Sequence, residues 1–316
     1  MGSENTDLPV IDLSKEAALQ PGSPEWDLVK VKVRDALKEF GCFKALYNKV
    51  PLELQSSFFG GAVEELFNLP SEIKQRNVSK TMLHGYRESN PMVPLLESLG
   101  FDDLEVFQEV ENSINKLWPR GKPTISKLLH CMGKQLVEID QAVRRMVFES
   151  MGVEKYLEEH MNSTSYILRV MKYKPTYSTE PQPGIIWHTD KHMLTILYQN
   201  EVDSLEVQTK DGDSISVKLS PDSFVVLIGD PLYAWTNGHL HNPLHRVMLK
   251  GNETRYSTST FSIPKAGFTV RAPVELVDKE HPLLFKPFDH YEYIESYSQL
   301  KLGRLHGSTL KIYCGI

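Results

Sequence analysis

The stretch Trp187-His188-Thr189-Asp190 places an imidazole and a carboxylate two residues apart. On an extended strand, side chains at positions i and i+2 point to the same face, so both groups can reach one point in space. A second imidazole from a distant strand would complete the two histidines and one carboxylate that are typical of non-haem Fe(II) oxygenases. His245, in the segment His245-Arg246-Val247, is the candidate. The spacing therefore predicts a metal site formed by His188, Asp190 and His245.

A second motif, Arg255-Tyr256-Ser257, follows His245 closely. Arg255 and Ser257 again have the spacing that puts two side chains on one face of a strand. A guanidinium group can form a bidentate pair with a carboxylate, and the serine hydroxyl can add a further hydrogen bond. The two motifs together fit a metal-chelating 2-oxo diacid that is bound to iron at one end and to Arg255 at the other.

Several further segments, together with these motifs, stand in the order in which they occur in one known family. They are Leu8-Pro9-Val10-Ile11-Asp12-Leu13, Glu39-Phe40-Gly41-Cys42-Phe43, Gly229-Asp230, Thr236-Asn237-Gly238 and Phe261-Ser262-Ile263-Pro264. With them, most of the chain resembles the plant 2-oxoglutarate and Fe(II)-dependent dioxygenases. Within that family it is most similar to the AOP-like branch, which is named for glucosinolate side-chain oxygenases. The segments that carry this closer resemblance are Gln75-Arg76-Asn77, His84-Gly85-Tyr86, Glu97-Ser98-Leu99-Gly100, residues 143–152 and Tyr313-Cys314-Gly315.

The resemblance implies Fe(II), 2-oxoglutarate as cosubstrate, O2, and ascorbate as reductant. It also implies that Tyr173 hydrogen-bonds the 2-oxoglutarate carboxylate next to the iron, although Met171 stands where an asparagine is most common in the family. Phe261 matches a family position that faces the pocket. The further candidates for substrate contacts are Lys191, Met193, Tyr86 and Tyr233. Apolar candidates outnumber charged ones, which favours a bulky and largely apolar substrate.

Composition narrows the possible partners. The chain has 316 residues and a formal net charge of -6, with no basic stripe, so nucleic acid is not an expected partner. It contains no apolar run long enough for a membrane span and no secretory signal at its start. Three cysteines without metal-ligand spacing favour a reducing compartment. We therefore expect a cytoplasmic enzyme, and a monomer, with a small-molecule substrate.

The apolar patterning predicts an α+β protein with a double-stranded β-helix, or jelly roll, at its core. Strand-like segments dominate after residue 164, at 166–173, 193–199, 205–209, 214–218, 223–228, 245–249, 256–261 and 268–270, and we expect them to close into a double-sheet barrel. A doubly wound nucleotide fold would need helices between these strands. Residues 124–159 have the period of a long scaffold helix, and residues 281–303 are predicted to end in a C-terminal helix.

The N-terminal part is predicted to be helical and mixed. Residues 1–123 are expected to form part of the substrate pocket, and residues 124–316 the scaffold helix, catalytic core and C-terminal helix, together in one integrated domain. Residues 78–123 lack clear periodicity and predict a long irregular segment. Two interpretations of that segment are open, a plain surface excursion or a pocket wall that includes His84, Tyr86, Met92, Val93 and Leu96.

Alternatives to this function stay open at this point. A related iron oxidase could use Arg-x-Ser for its own substrate and need no 2-oxo acid, and an inactive member could serve as a small-molecule binding module. A zinc hydrolase is disfavoured because no His-Glu-x-x-His motif is present. His241 is the rival for the third metal ligand. The sequence favours oxidation of an unactivated C-H bond in a plant specialised metabolite, with hydroxylation as the default and desaturation, dealkylation or ring closure possible.

Overall fold

The computed structural model describes residues 7–79, 84–299 and 309–316. The helices are α1 (Pro24–Glu39), α2 (Leu52–Ser57), α3 (Glu64–Phe67), α4 (Ser71–Lys74), α5 (Phe107–Leu117), α6 (Pro123–Ser150), α7 (Leu157–Asn162), α8 (Asp230–Trp235), α9 (His290–Gln299) and α10 (Thr309–Cys314). The strands are β1 (Val10–Asp12), β2 (Cys42–Leu46), β3 (Leu96–Phe101), β4 (Thr164–Tyr173), β5 (Ser178–His188), β6 (Leu194–Gln199), β7 (Leu205–Gln208), β8 (Ser214–Ser216), β9 (Ser223–Ile228), β10 (His245–Gly251), β11 (Arg255–Pro264), β12 (Thr269–Val270) and β13 (Phe288–Asp289).

Two sheets build the core. The larger has seven strands in the order β1-β2-β9-β6-β11-β4-β3, and the smaller has four in the order β5-β10-β7-β8. Apolar side chains of both sheets share buried clusters; one joins Leu197 and Val225 to Leu205, and another joins Tyr173 to Val247. The predicted jelly-roll fold is confirmed. The predicted closure is wrong, because no strand pairing among the described residues joins the two sheets into a barrel.

The scaffold helix α6 covers the outer face of the larger sheet. Its buried side chains, including Leu129, Leu136 and Val143, belong to the main core together with residues of β4 and β6. The helix ends at Ser150, earlier than predicted, because Gly152 takes a positive φ of 68° and Val153 N-H donates to Phe148 O. This is a Schellman ending, in which glycine adopts the left-handed conformation without strain.

Two predictions about irregular backbone need correction. Residues 78–123 contain β3 and α5, because β3 is a buried strand paired with β4 and α5 buries Val110, Ile114 and Leu117 along one stripe. Of strand β5, only the extended backbone at His188 was predicted, and the strand before it was not. It is a long, mostly exposed edge strand whose residues include Pro181 and Pro183, so it lacks the apolar alternation by which strands are recognised.

The predicted C-terminal helix is present as α9, with α10 after it. No described helix is both long and apolar enough to cross a membrane.

A buried ion pair attaches α6 to the larger sheet. Arg144 donates from Nε to Asp140 Oδ1 at 2.6 Å, and both side chains are fully buried. The same guanidinium donates to Thr164 Oγ1 at 2.9 Å and to the hydroxyl of Tyr166, both on β4. Removing one partner of such a pair leaves an uncompensated charge in the core.

We therefore expect Arg144→Met to lower the free energy of unfolding by about 3 to 5 kcal/mol. The double variant Asp140→Leu with Arg144→Met removes both charges and should recover most of that loss. Arg145→Gln is the matched control, because Arg145 is exposed on the same helix and should change stability by less than about 0.5 kcal/mol. Denaturant unfolding measures the free energy of unfolding of these three variants. Equal stability of Arg144→Met and Arg145→Gln would contradict the structural role of the pair.

Candidate metal centre and cosubstrate site

The two histidines are brought together by strand pairing in the smaller sheet. His188 is the last residue of β5 and His245 the first of β10, and the antiparallel register places them directly opposite each other. Their ring centroids are 4.2 Å apart. Strand β5 ends at His188, so the strand predicted to carry both His188 and Asp190 does not reach Asp190. The loop after β5 nevertheless places the Asp190 carboxylate beside both imidazoles.

The three ligand atoms converge. Asp190 Oδ1 is 3.8 Å from His188 Nε2 and 3.7 Å from His245 Nε2, and the three potential ligand atoms all lie within 4.8 Å of one another. Backbone carbonyls are the partners of the other ring nitrogens: His188 Nδ1 is 2.9 Å from Ile186 O, and His245 Nδ1 is 3.2 Å from Pro243 O. A carbonyl oxygen can only accept a hydrogen bond, so each Nδ1 carries the hydrogen and donates it, and both Nε2 lone pairs are directed at the centre.

Electrostatics favour the protonation states that a metal needs. Burial, followed by the neighbouring His245, lowers the pKa of His188 to about 4. Burial alone would raise the pKa of Asp190, but His245, His188 and the hydrogen bond from Thr195 hold it below its usual value. Thr195 Oγ1 donates to Asp190 Oδ2 at 2.5 Å. A carboxylate and two imidazoles on one side of a centre are the donor set of Fe(II) oxygenases, so these residues fit the metal.

Asp230 is the structural centre of the loop that carries Asp190. Its backbone N-H donates to Asp190 O at 2.8 Å, and its buried carboxylate accepts from Lys191 at 2.8 Å, from Asn242 at 2.6 Å and from the hydroxyl of Tyr293. A Cβ on the preceding Gly229 would lie 1.8 Å from His192 O. Only glycine permits this close approach, so Gly229-Asp230 fixes the metal loop and offers no ligand to the centre.

Arg255, Ser257 and Tyr173 lie together on paired strands of the larger sheet. Arg255 is opposite Tyr173 in the β11 and β4 register, and its guanidinium carbon is 4.8 Å from the centroid of the tyrosine ring. Arg255 Nη1 donates to Ser257 Oγ at 3.2 Å. Gln199 was not predicted, yet its Oε1 accepts from Arg255 Nη2 at 2.7 Å and from Nε at 3.3 Å. Arg255 is fully buried, so this amide holds a desolvated charge in place.

A cavity of about 470 Å³ extends from the three metal residues to Tyr173. It is lined by His188, Asp190 and His245 and also by Tyr173, which covers Arg255. Apolar side chains from both sheets and from the segment before β3 form much of its remaining wall. They include Met92, Val93, Leu96, Leu197, Leu227 and Val247.

The predicted substrate contacts divide into two groups. Phe261 and Lys191 line the cavity. The ammonium of Lys191 is already bound to Asp230 and to Thr189 Oγ1 at 2.8 Å, so its charge is compensated within the protein. Met92, Val93 and Leu96 of the predicted pocket wall also line the cavity.

Met193, Tyr86 and Tyr233 do not line it. Met193 is 1% exposed and belongs to the main core. The Tyr86 hydroxyl donates to Glu97 at 2.6 Å, and the Tyr233 ring packs at 5.2 Å on that of Phe285. The structure thus gives these three residues packing contacts, and the substrate contacts predicted for them stay predictions. His84 is likewise outside the lining, with Nδ1 2.6 Å from Asp102 Oδ1.

The rival ligand His241 lies away from the centre. Its backbone N-H donates to Leu37 O, at the end of α1, and its carbonyl contacts Gly41. Thr195 and Gln199, by contrast, were missed although they support the site. Both lie on β6, whose two faces are equally buried, so no sequence periodicity distinguishes them from core residues.

Comparisons with known proteins agree with this geometry. Residues 160–264 match the 2OG-Fe(II) oxygenase superfamily, and residues 8–93 match the family described as non-haem dioxygenase in morphine synthesis N-terminal. The chain is 48% identical over 312 residues to the Arabidopsis thaliana protein named probable 2-oxoglutarate-dependent dioxygenase AOP1.2, with 97% of this chain and 95% of that protein covered.

Solved structures show the same fold. The dioxygenase for auxin oxidation of rice superposes with a TM-score of 0.80 at 30% identity, covering 97% of this chain and 99% of that one. The Arabidopsis thaliana dioxygenase for auxin oxidation 1, in its 2-oxoglutarate complex, gives a TM-score of 0.77 at 28% identity, with 87% of this chain and 99% of that one covered. The chain thus belongs to the 2OG-Fe(II) oxygenase superfamily and, within it, to the AOP branch of plant 2-oxoglutarate-dependent dioxygenases.

Proposed function

We propose that His188, Asp190 and His245 hold Fe(II), that Arg255, Ser257 and Tyr173 bind 2-oxoglutarate, and that the enzyme oxidises a C-H bond of a plant specialised metabolite. The observation that carries this proposal is the convergence of the three ligand atoms on a cavity whose wall includes Tyr173, the residue stacked on Arg255. Metal ligands in the cavity and a buried cationic group behind the Tyr173 wall match a cosubstrate that is a chelator at one end and a carboxylate at the other.

When bound, Fe(II) and 2-oxoglutarate supply the oxidation, in which one oxygen atom of O2 enters the substrate and the other leaves in succinate after loss of CO2. The residues of the chain supply placement. His188 and His245 direct their Nε2 atoms to the centre, and Asp190 contributes its negative charge. Arg255 and Ser257 orient the distal carboxylate of 2-oxoglutarate. The apolar wall, with Phe261, holds the substrate near the metal and excludes water.

Hydroxylation is the default outcome of this arrangement, and desaturation, dealkylation and ring closure would use the same ligands. The size and lining of the cavity support a bulky and largely apolar substrate. We also propose that residues 1–123 and 124–316 act as one integrated domain, because the main core combines side chains from Ile11 to Leu310. A cytoplasmic monomer is part of the proposal; its three free cysteines support a reducing compartment.

Replacing a ligand should abolish metal binding without unfolding the protein. We expect His188→Ala, Asp190→Ala and His245→Ala each to weaken Mn(II) binding, measured by electron paramagnetic resonance, by at least about 100-fold. His241→Ala is the matched control and should bind Mn(II) like the wild type. Full Mn(II) affinity in a ligand variant with an unchanged circular dichroism spectrum would remove that residue from the centre.

Removing the guanidinium should affect the cosubstrate selectively. Charged hydrogen bonds contribute roughly 1.5 to 3 kcal/mol, so Arg255→Gln should raise the KM for 2-oxoglutarate by about 10- to 100-fold. Succinate release from labelled 2-oxoglutarate measures this value. Product formation without any 2-oxoglutarate would instead identify an iron oxidase that uses no 2-oxo acid.

Gln199→Leu tests whether the amide positions Arg255. The leucine leaves the guanidinium buried but without its Oε1 acceptor, so we expect the KM for 2-oxoglutarate to rise by about 10-fold, as for one charged hydrogen bond, while kcat changes little. Gln199→Glu restores an acceptor at the same place and should lower KM again. A fall in kcat at unchanged KM would argue against a positioning role.

A further inference from the structure

Met171 places an oxidisable sulfur on the wall of the cavity. It lies on β4, two residues before Tyr173, and both side chains line the cavity from one face of the strand. Met171 is buried, with 8% of its surface exposed. The thioether is soft and polarisable, and its oxidation to the sulfoxide is a common reaction of methionine in proteins. In a cavity that supports oxidation, the neighbours of this sulfur decide whether it reacts.

Met171 borders the space proposed for 2-oxoglutarate. In the antiparallel register of β4 and β11, Met171 is directly opposite Ser257, and Tyr173 is directly opposite Arg255. Directly opposed residues have Cβ atoms about 4.5 to 5.5 Å apart. The hydroxyl of Tyr173 donates to Met171 Sδ at 3.8 Å. The sulfur thus lies beside two of the three residues that we propose for the cosubstrate.

Met171 also lies close to the strand that carries a metal ligand. It shares a buried apolar cluster with Val247 of β10. His245 and Val247 are two residues apart on that strand, both are buried and both line the cavity, so they share one face of β10. The thioether therefore has cosubstrate residues on one side and the strand of His245 on the other.

Two other methionines provide a comparison within the same chain. Met92 lines the cavity as well, but 52% of its surface is exposed. Met193 is 1% exposed and belongs to the main core. Oxidants that diffuse in bulk solvent reach the exposed Met92 first, whereas oxidation inside the cavity reaches Met171. The three methionines thus distinguish the two sources of oxidation.

We propose that Met171 is a self-oxidation site, whose thioether takes up an oxygen atom when the enzyme turns over without its primary substrate. This inference rests on the proposed function. In that turnover, 2-oxoglutarate and O2 yield succinate, CO2 and one oxygen atom that has no substrate C-H bond to enter. The O-O bond and the C-C bond to the departing CO2 break, a lone pair of Met171 Sδ forms the new S-O bond, and no proton is transferred. O2 accepts four electrons, two from the 2-oxo acid and two from the sulfur, and the product is methionine sulfoxide.

The sulfoxide would change the cosubstrate site. It is polar and larger than the thioether, and its oxygen accepts a hydrogen bond from Tyr173 more strongly than the sulfur does. Tyr173 stacks on Arg255, so a shift of its ring changes the surroundings of the guanidinium. Turnover without a substrate therefore limits itself, because each oxidation of Met171 impairs the site at which 2-oxoglutarate binds.

Peptide mass mapping of the whole protein tests the proposal. The wild type is incubated with Fe(II), 2-oxoglutarate and O2, with catalase to remove free peroxide and without any organic substrate. A protease other than trypsin is used, because trypsin cuts after both Arg169 and Lys172 and leaves too short a peptide. We expect the peptide with Met171 to gain the mass of one oxygen atom at least about 10-fold more often than the peptides with Met92 and Met193. Omission of 2-oxoglutarate should abolish the gain.

Met171→Leu tests the consequence for turnover. Leucine keeps an apolar side chain of similar volume and removes the sulfur. Without substrate, succinate release by Met171→Leu should decay at least about 3-fold more slowly than that of the wild type, each relative to its own initial rate. Met248→Leu is the matched control, because Met248 follows Val247 on β10 but lies outside the cavity lining, and it should decay like the wild type. His188→Ala should show no mass gain at Met171.

Three results would overturn the inference. They are succinate release by the wild type without a selective mass gain at Met171, an equal gain at Met92, which would assign the oxidation to diffusing oxidants, and decay of Met171→Leu at the wild-type rate. The mass mapping uses the wild type, so it does not depend on the folding of a variant. Failure of the proposed function looks different. In that case the wild type with Fe(II) releases no succinate from 2-oxoglutarate at all.

Discussion

The pairing of β5 with β10 is the constraint on which the site depends. It sets His245 opposite His188, and a shift by one residue would turn one of the two side chains to the other face of the sheet. The register shifts directly after this pair, between His245 and Val247, and again between Val247 and Met248 and between Leu249 and Gly251, so the alignment of the two histidines is local to the metal end of the strands. Backbone hydrogen bonds of an edge strand thus position two ligands that are far apart in sequence.

The third ligand depends on a different kind of support. Asp190 follows the strand, and its loop is held by the buried Asp230 carboxylate and by the close approach of Gly229 to His192. A buried charge is costly unless it is paired and hydrogen-bonded, and Asp230 meets this requirement through Lys191, Asn242 and Tyr293. Tyr293 belongs to α9, so the C-terminal helix contributes to the geometry of the metal loop.

The sequence predicted those parts of the molecule whose structure depends on residues that are close together in the chain. The apolar stripe of α6 and the short apolar strands predicted the fold class. Spacing together with family resemblance predicted the triad, whose ligand atoms converge, and Arg255, whose role stays a prediction. The part of edge strand β5 before His188 was not predicted because its side chains are largely exposed. Gln199 and Thr195 escaped because their roles depend on which residues face them across strands. Met193 lies in the main core for the same reason, since proximity in sequence to Asp190 does not decide which way its side chain points.

The position of Arg255 explains why a diacid is the proposed cosubstrate. Arg255 is fully buried, Gln199 accepts hydrogen bonds from its guanidinium, and the ring of Tyr173, which lines the cavity, stacks on it. A desolvated guanidinium interacts with a carboxylate more strongly than an exposed one, because water does not compete for the charge. A diacid with a 2-oxo group would therefore gain most from this arrangement, since one end would meet the metal held by His188, Asp190 and His245 and the other would meet Arg255. The apolar wall of the cavity would then be left for a largely apolar substrate.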